Sequence, residues 1–145
     1  MATVIQLARL SGFTNIITTA SLRNKDLLIT LGATHVVDRT LKPADVVAQV
    51  RSITKDEIQV VHDAVSTTET QNIGYDIVAS GGTLVLTSPS EIDQTKLDPT
   101  KKVHMTNGAV GLPFWVALDT ELFKLLPSLL DSGDVKVSAV EGNVS

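Results

Sequence analysis

Ser21, Arg23, Asn24 and Lys25 follow a short β-branched segment and open a helical one. A hydroxyl and two cations side by side suit an anionic group such as a phosphate. The same residues also read as a helix cap with solvated charges. Two more groups stand at strand ends: Asp63-Ala64-Val65-Ser66 and Thr87-Ser88. Here Asp63 reads as structural and Ser66 as a helix cap. Thr87 and Ser88 read equally as caps of the loop before Pro89. Arg39 follows Asp38 at a further strand end, where a plain surface arginine is the competing reading. The absent chemistry is as informative. There is no cysteine, which removes disulfides, thiolate metal sites and a cysteine nucleophile. G-x-S-x-G is missing, and no Ser-His-Asp arrangement can be argued. His35, His62 and His104 fall in strands, off metal-ligand spacing, and read as packed or edge histidines.

These groups need strands and helices to bring them together. Asn15 to Asp38, NIITTASLRNKDLLITLGATHVVD, reads as strand, turn, helix, glycine stop and strand. Residues 15–19 are short and β-branched, as a buried parallel strand should be. Ser21 stands where a helix cap belongs, Leu27, Leu28 and Leu31 share a helical face, and Gly32 ends it. Before this βαβ unit, residues 1–12 form a helix with Val4, Leu7 and Ala8 on one side. After it, Pro43 opens a helix carrying Val46, Val50 and Ile53. Residues 58–65 are a third strand, and Ser66-Thr67-Thr68-Glu69 fits a capping box. Ile73, Ile77 and Val78 line the next helix. Residues 83–87 and 103–106 are further strands. Pro113 opens the last long helix, whose stripe is Phe114, Leu118, Leu122, Leu125 and Leu129, and Pro127 should kink it. Residues 135–140 read as a last strand. Strands alternating with amphipathic helices give an α/β fold with a doubly wound, mostly parallel Rossmann-like sheet, in one domain over residues 1–145. Ligands of such folds bind beyond the carboxyl ends of the strands, where the polar groups above lie.

Composition agrees. A chain of 145 residues with 43% hydrophobic and 19% charged residues can build one core. With five aromatic residues (Phe, Trp and Tyr together), that core is aliphatic. A net charge of -4 and a pI near 5.2, with no basic face, argue against nucleic acid. No signal-peptide pattern precedes Arg9, and the longest notable uncharged run is too short to span a bilayer. A cytoplasmic protein without a membrane partner is the expectation.

In IQLARLSGF (5–13), TASLRNKDLLITLGATHVVD (19–38), VVHDAVSTTETQ (60–71) and GGTLVLTSP (81–89), the chain resembles the nucleotide-binding domain of medium-chain dehydrogenases/reductases. IQLA, the LGA turn and the DAVS strand end look most like fungal members, such as trans-acting enoyl reductases and zinc-binding or alcohol dehydrogenase-like proteins. Two departures stand out. The family's strand and glycine-rich loop before the first helix are absent, and so is the N-terminal catalytic domain. The resemblance therefore implies a piece of a reductase, cut at both ends, whose sheet lacks its first, central strand. In the order 3-2-1-4-5-6 the neighbours of that strand are residues 15–19 and 58–65. Direct pairing of these two, giving 3-2-4-5-6, would satisfy the backbone most cheaply, since each buried unpaired group costs about 1–3 kcal/mol.

The resemblance implies an NADP-dependent oxidoreductase passing hydride between NADPH and a small carbonyl or enoyl substrate, with the 145-residue chain alone inactive. No Asp or Glu stands near Ser21 to hold ribose hydroxyls, and Ser21, Arg23, Asn24 and Lys25 fall where a 2′-phosphate would sit. Many relatives carry a lysine at Asn24 and a tyrosine at Arg39, near the adenosine phosphate. Val65 would lie beside the nicotinamide ribose, and Thr87 and Ser88 near the ring. The zinc ligands of the family belong to the absent domain, so no zinc is expected here. Val103–Val110 resembles the edge strand through which many members form a homodimer, and a loop-covered edge is the alternative. A non-enzymatic Rossmann-like remnant serving as an interaction module is the second reading, and a methyltransferase a weaker third.

Overall fold

The computed structural model describes residues 2–106 and 116–136. Five helices and five strands alternate in order: α1 (Ala2–Leu10), β1 (Ile17–Ala20), α2 (Lys25–Thr30), β2 (His35–Asp38), α3 (Pro43–Ile53), β3 (Val60–Asp63), α4 (Thr68–Ile77), β4 (Thr83–Leu86), β5 (Lys102–Met105) and α5 (Val116–Asp131). The α/β reading holds, and each strand is four residues long: the expected 15–19 is found at 17–20, 58–65 at 60–63, 83–87 at 83–86 and 103–106 at 102–105. The starts of the last helix at Pro113 and of its stripe at Phe114 lie outside the described residues, as do most of the expected strand 135–140 and residues 107–110 of the expected edge.

The strands form two sheets, β1-β2 and β3-β4-β5. In the first, Thr34 N–H and His35 N–H donate to the Ile16 carbonyl at one end, and Arg39 N–H to Ala20 at the other. The pairs advance together along both strands, so the strands are parallel. In the second, β3, β4 and β5 run parallel in strict register, Val60 beside Thr83 beside Lys102 and Asp63 beside Leu86 beside Met105. The direct pairing of β1 with β3 expected from the sequence is not present, because the two strands belong to different sheets. Strands consecutive in the chain pair within each sheet, which keeps the connections short.

The chain divides into two compact units. One holds residues 2–18, 22–36 and 116–136, the other residues 19–21 and 37–106. In the first, Ile5, Leu28, Leu31 and Ala33 are buried. The inward residues of α1 are thus Ile5 and Gln6 rather than Val4, Leu7 and Ala8, and in α2 Leu27 is half exposed. Gln6 is buried because its amide replaces a strand partner: Lys136 N–H donates to Gln6 Oε1 at 2.6 Å, and Gln6 Nε2 donates to the Lys136 carbonyl at 3.1 Å. Gly32 ends α2 at φ +115°, with the Arg9 side chain so close that a Cβ would meet its Cδ at 2.8 Å. That left-handed backbone favours glycine, while the exposed Arg9 side chain could shift. Pro127 lies inside α5, and Leu122 and Leu125 of its apolar stripe stay exposed.

The second unit carries the larger core. Tyr75, Val78, Leu84, Leu86 and Ile92 are buried together, with Val61 and Val103 against them. Gly74 lets α4 approach the sheet, since a Cβ there would meet Leu84 at 3.0 Å and Val61 at 3.3 Å. The inward stripe of α4 is Gln71, Gly74, Tyr75 and Val78, while Ile73 and Ile77 are only half-buried. Helical spacing allowed either set, and the small glycine decides which side sits down on the strands. Pro43 takes the first position of α3 as expected, and Val46 and Val50 are buried.

Candidate functional site

The carboxyl ends of β3 and β4 are joined by a hydrogen-bonded network, which starts at Asp63. Its Oδ1 accepts from Val65 N–H at 3.0 Å and Ser66 N–H at 2.9 Å, and its Oδ2 from the Thr70 hydroxyl at 2.7 Å. These three bonds tie the carboxylate to the turn that follows it and to the first turn of α4. Ser66 is 8% exposed and is the non-glycine residue with positive φ, at +53°, among the described residues. A side chain in this region costs about 1–3 kcal/mol and persists only where its surroundings fix it. Here they do. Ser66 Oγ donates to the Asp63 carbonyl at 2.9 Å and accepts from Thr87 N–H at 2.8 Å. The Ser66 carbonyl accepts from the Ser88 hydroxyl at 2.8 Å.

Gln71 completes the network from α4. It is fully buried. Its Nε2 donates to the Ser66 carbonyl at 3.1 Å and the Pro89 carbonyl at 3.0 Å, and approaches the Ser88 hydroxyl at 3.3 Å. Its Oε1 accepts from Glu91 N–H at 2.6 Å. The Thr68 hydroxyl donates to the Glu91 carboxylate beside it. Ser66 is therefore a strand-end residue and not the helix cap. The cap of α4 is Thr67, whose hydroxyl accepts from Thr70 N–H while Thr70 Oγ1 accepts from Thr67 N–H. The capping box sits one residue later than the sequence implied, because Asp63 claims the Ser66 N–H first.

Of the residues singled out in the sequence, Val65, Thr87 and Ser88 come together here. Val65 is 57% exposed, on a turn whose flanking N–H groups are bound to Asp63. Thr87 is exposed and Ser88 half-buried. The sequence reading missed Gln71, Thr70 and Glu91. The signal for Gln71 was available: it occupies a core position one turn before Gly74 and Tyr75, and a polar residue there must find partners.

The end of β1 is built differently. Ala20 is buried and Ser21 half-buried, and a short 3-10 turn, Leu22–Asn24, leads into α2. The residue capping α2 is Asn24, without a side-chain hydrogen bond, so Ser21 does not cap it. Arg23, Asn24 and Lys25 are exposed. Arg39 is exposed too, and its N–H donation to Ala20 holds it beside the end of β1. Neighbouring Asp38 accepts from Thr40 N–H at 2.9 Å and the Thr40 hydroxyl at 2.8 Å, which holds its carboxyl below the usual value of 3.8. Among the described ion pairs, none occupies Arg23, Lys25 or Arg39. The cations are free for a ligand, and no acidic side chain lies among residues 20–25.

The histidines do not gather. His62 and His104 flank Val85 in the sheet register, and both are exposed, as is His35. Among the described residues, no three His, Asp or Glu side chains are grouped to hold a metal. No helix among them is long and apolar enough to cross a membrane.

Known structures share this fold. A quinone oxidoreductase from Escherichia coli, solved with NADPH, is 23% identical with a TM-score of 0.74, over 97% of this chain and 44% of that one. A quinone oxidoreductase from Pseudomonas syringae pv. Tomato DC3000 is 25% identical with a TM-score of 0.73, over 95% and 44%. The nucleotide-binding subdomain of the enoylreductase domain of PpsC from Mycobacterium tuberculosis is 19% identical with a TM-score of 0.67, over 94% and 79%. The chain thus spans less than half of the whole reductases and most of an isolated nucleotide-binding subdomain. No curated protein matches it. The family model described as zinc-binding dehydrogenase matches residues 2–130, and the chain belongs to that family.

Proposed function

We propose that the chain is the NADP-binding part of an oxidoreductase that passes hydride between NADPH and a small carbonyl or enoyl substrate. The observation that carries the cofactor choice is the end of β1. Arg23 and Lys25 stand exposed there, and residues 20–25 hold no Asp or Glu for a ribose 2′-hydroxyl. In this reading the Ser21 hydroxyl, Asn24 and the two cations hold the 2′-phosphate. Arg39 pairs with an adenosine phosphate, and Val65, Thr87 and Ser88 bound the nicotinamide half. The cofactor supplies the hydride, and these residues bind and orient it. The 145 residues contain no G-x-G-x-x-G loop for the pyrophosphate, so the chain by itself is expected to bind weakly and to turn nothing over. Zinc does not fit the described residues, since they hold no ligand group for it, and no step is drawn through a metal.

Fluorescence titration of the chain with NADPH and NADH tests the reading. Tighter binding of NADPH, lost on Arg23→Glu with Lys25→Glu, is expected. Equal affinity for the two, or none for either, overturns it. The same reading places a homodimer contact at β5, an edge of its sheet with Met105 53% exposed. A sedimentation mass of one chain at micromolar concentration would exclude that contact.

A further inference from the structure

We infer that Gln71 is a positioning residue for the nicotinamide half of the dinucleotide, holding the ends of β3 and β4 as one fixed platform. The inference rests on the dinucleotide reading above, and four observations carry it. The apolar cluster of Tyr75, Val78, Leu84, Leu86 and Ile92 already seats α4 on the sheet, so packing does not require a buried amide. The bonds of Gln71 run only to the strand-end segments, to Ser66, Ser88, Pro89 and Glu91. Those ends are where doubly wound folds receive ligands, and the second half of such a sheet takes the second nucleotide. Finally, Ser66 is kept at φ +53°, where glycine would sit without strain but would lack the hydroxyl that accepts Thr87 N–H. Strain held by several bonds at a ligand-facing turn marks a place where geometry matters beyond stability. The exposed Val65 and Thr87 are the residues so placed.

The test compares two probes, NADPH and adenosine 2′,5′-bisphosphate, which lacks the nicotinamide half. Affinities are measured calorimetrically on the full 145-residue chain and on Gln71→Leu, Thr70→Val and Val78→Ala. Thr70→Val loosens the same network more gently by freeing Asp63 Oδ2, and carries the test where Gln71→Leu does not fold. Val78→Ala is a destabilised control in the apolar cluster. The expected result is a loss of NADPH affinity of about tenfold in Gln71→Leu, comparable to one well-made hydrogen bond. The loss is smaller in Thr70→Val, the bisphosphate affinity is unchanged in both, and Val78→Ala moves neither ligand. Equal loss for both probes, no loss, or the same selective loss in Val78→Ala would overturn the positioning role. Should the unaltered chain bind the bisphosphate as tightly as NADPH, the platform contributes nothing and the inference fails while the cofactor site stands. Should it bind neither, the dinucleotide reading fails and this inference with it.

Discussion

The end of β1 and the ends of β3 and β4 use polar residues for opposite purposes. Around Ser66 and Gln71 almost every polar atom is spent on another part of the protein: a carboxylate on two N–H groups and a hydroxyl, an amide on two loops. At residues 23–25 the side chains are exposed, and the helix cap has no side-chain bond. The first pattern fixes backbone, and the second leaves charge available. Substitutions should separate the two, with large stability effects and small charge effects at Gln71 and the reverse at Arg23.

Gln71→Leu should break the contrast most forcefully. It leaves the Pro89 carbonyl and the Glu91 N–H without partners. Two such groups cost about 2–5 kcal/mol together, visible as a lower urea midpoint. A change under about 0.5 kcal/mol would mean that the loops relax to water and that the network holds nothing. Ser66 sharpens the point at a smaller scale. Ser66→Ala keeps the positive φ and loses the hydroxyl, for about 1–3 kcal/mol. Ser66→Gly loses the same bonds but relieves a left-handed strain of about 1–2 kcal/mol, partly offset by glycine's greater freedom when unfolded. Glycine should therefore be the milder variant, by up to about 1 kcal/mol in chemical denaturation. Alanine milder than glycine would show that Ser66 is not strained.

Much of this was legible in the sequence, and the exceptions have physical causes. Alternating apolar runs gave the strand and helix order, and Pro43 and Gly32 marked a helix start and stop where they stand. Arg23, Lys25, Thr87 and Ser88 were singled out because they follow strands, and the structure places them just beyond the ends of β1 and β4. Of the inward side of α4, only Val78 was found. Ile73 and Ile77 are more apolar than Gln71, but only Gly74 allows close approach to Leu84. The capping box slipped by one residue, since the Asp63 carboxylate, three residues earlier, takes the Ser66 N–H and leaves Thr67 as the cap. Pairing of β1 with β3 was expected from backbone economy, and the strands satisfy themselves in two separate sheets instead.

At the charged end the expected effect on stability is slight. Arg23→Glu and Lys25→Glu, at exposed positions outside any described ion pair, should each stay within about 0.5 kcal/mol of the unaltered chain. The preference for NADPH over NADH should nevertheless fall in the double variant, and that salt-sensitive difference is the readout. A loss of stability matching that of Ser66→Ala would mean that these cations are structural, and the contrast between the two regions would dissolve.

The smallest effect concerns three repeats of one turn, Asp-x-Thr, at Asp38, Asp93 and Asp98. In each, the aspartate accepts from the threonine's N–H and hydroxyl two residues on. The three carboxyls are held below 3.8. A carboxyl whose pKa is depressed on folding binds protons more readily when unfolded. Its contribution is therefore present above 3.8 and is lost as pH falls through the lower folded value. The leading cause differs between the turns: the Thr40 N–H for Asp38, but the Thr95 and Thr100 hydroxyls for Asp93 and Asp98. Valine keeps the N–H and removes the hydroxyl. Thr95→Val and Thr40→Val should each raise the midpoint of the aspartate in its own turn toward 3.8, in carboxyl carbon NMR titrations. Asp98, bound to its own Thr100, should titrate unchanged in both variants. No movement of Asp38 or Asp93 in its own variant would show that the threonine hydroxyl does not hold that carboxyl.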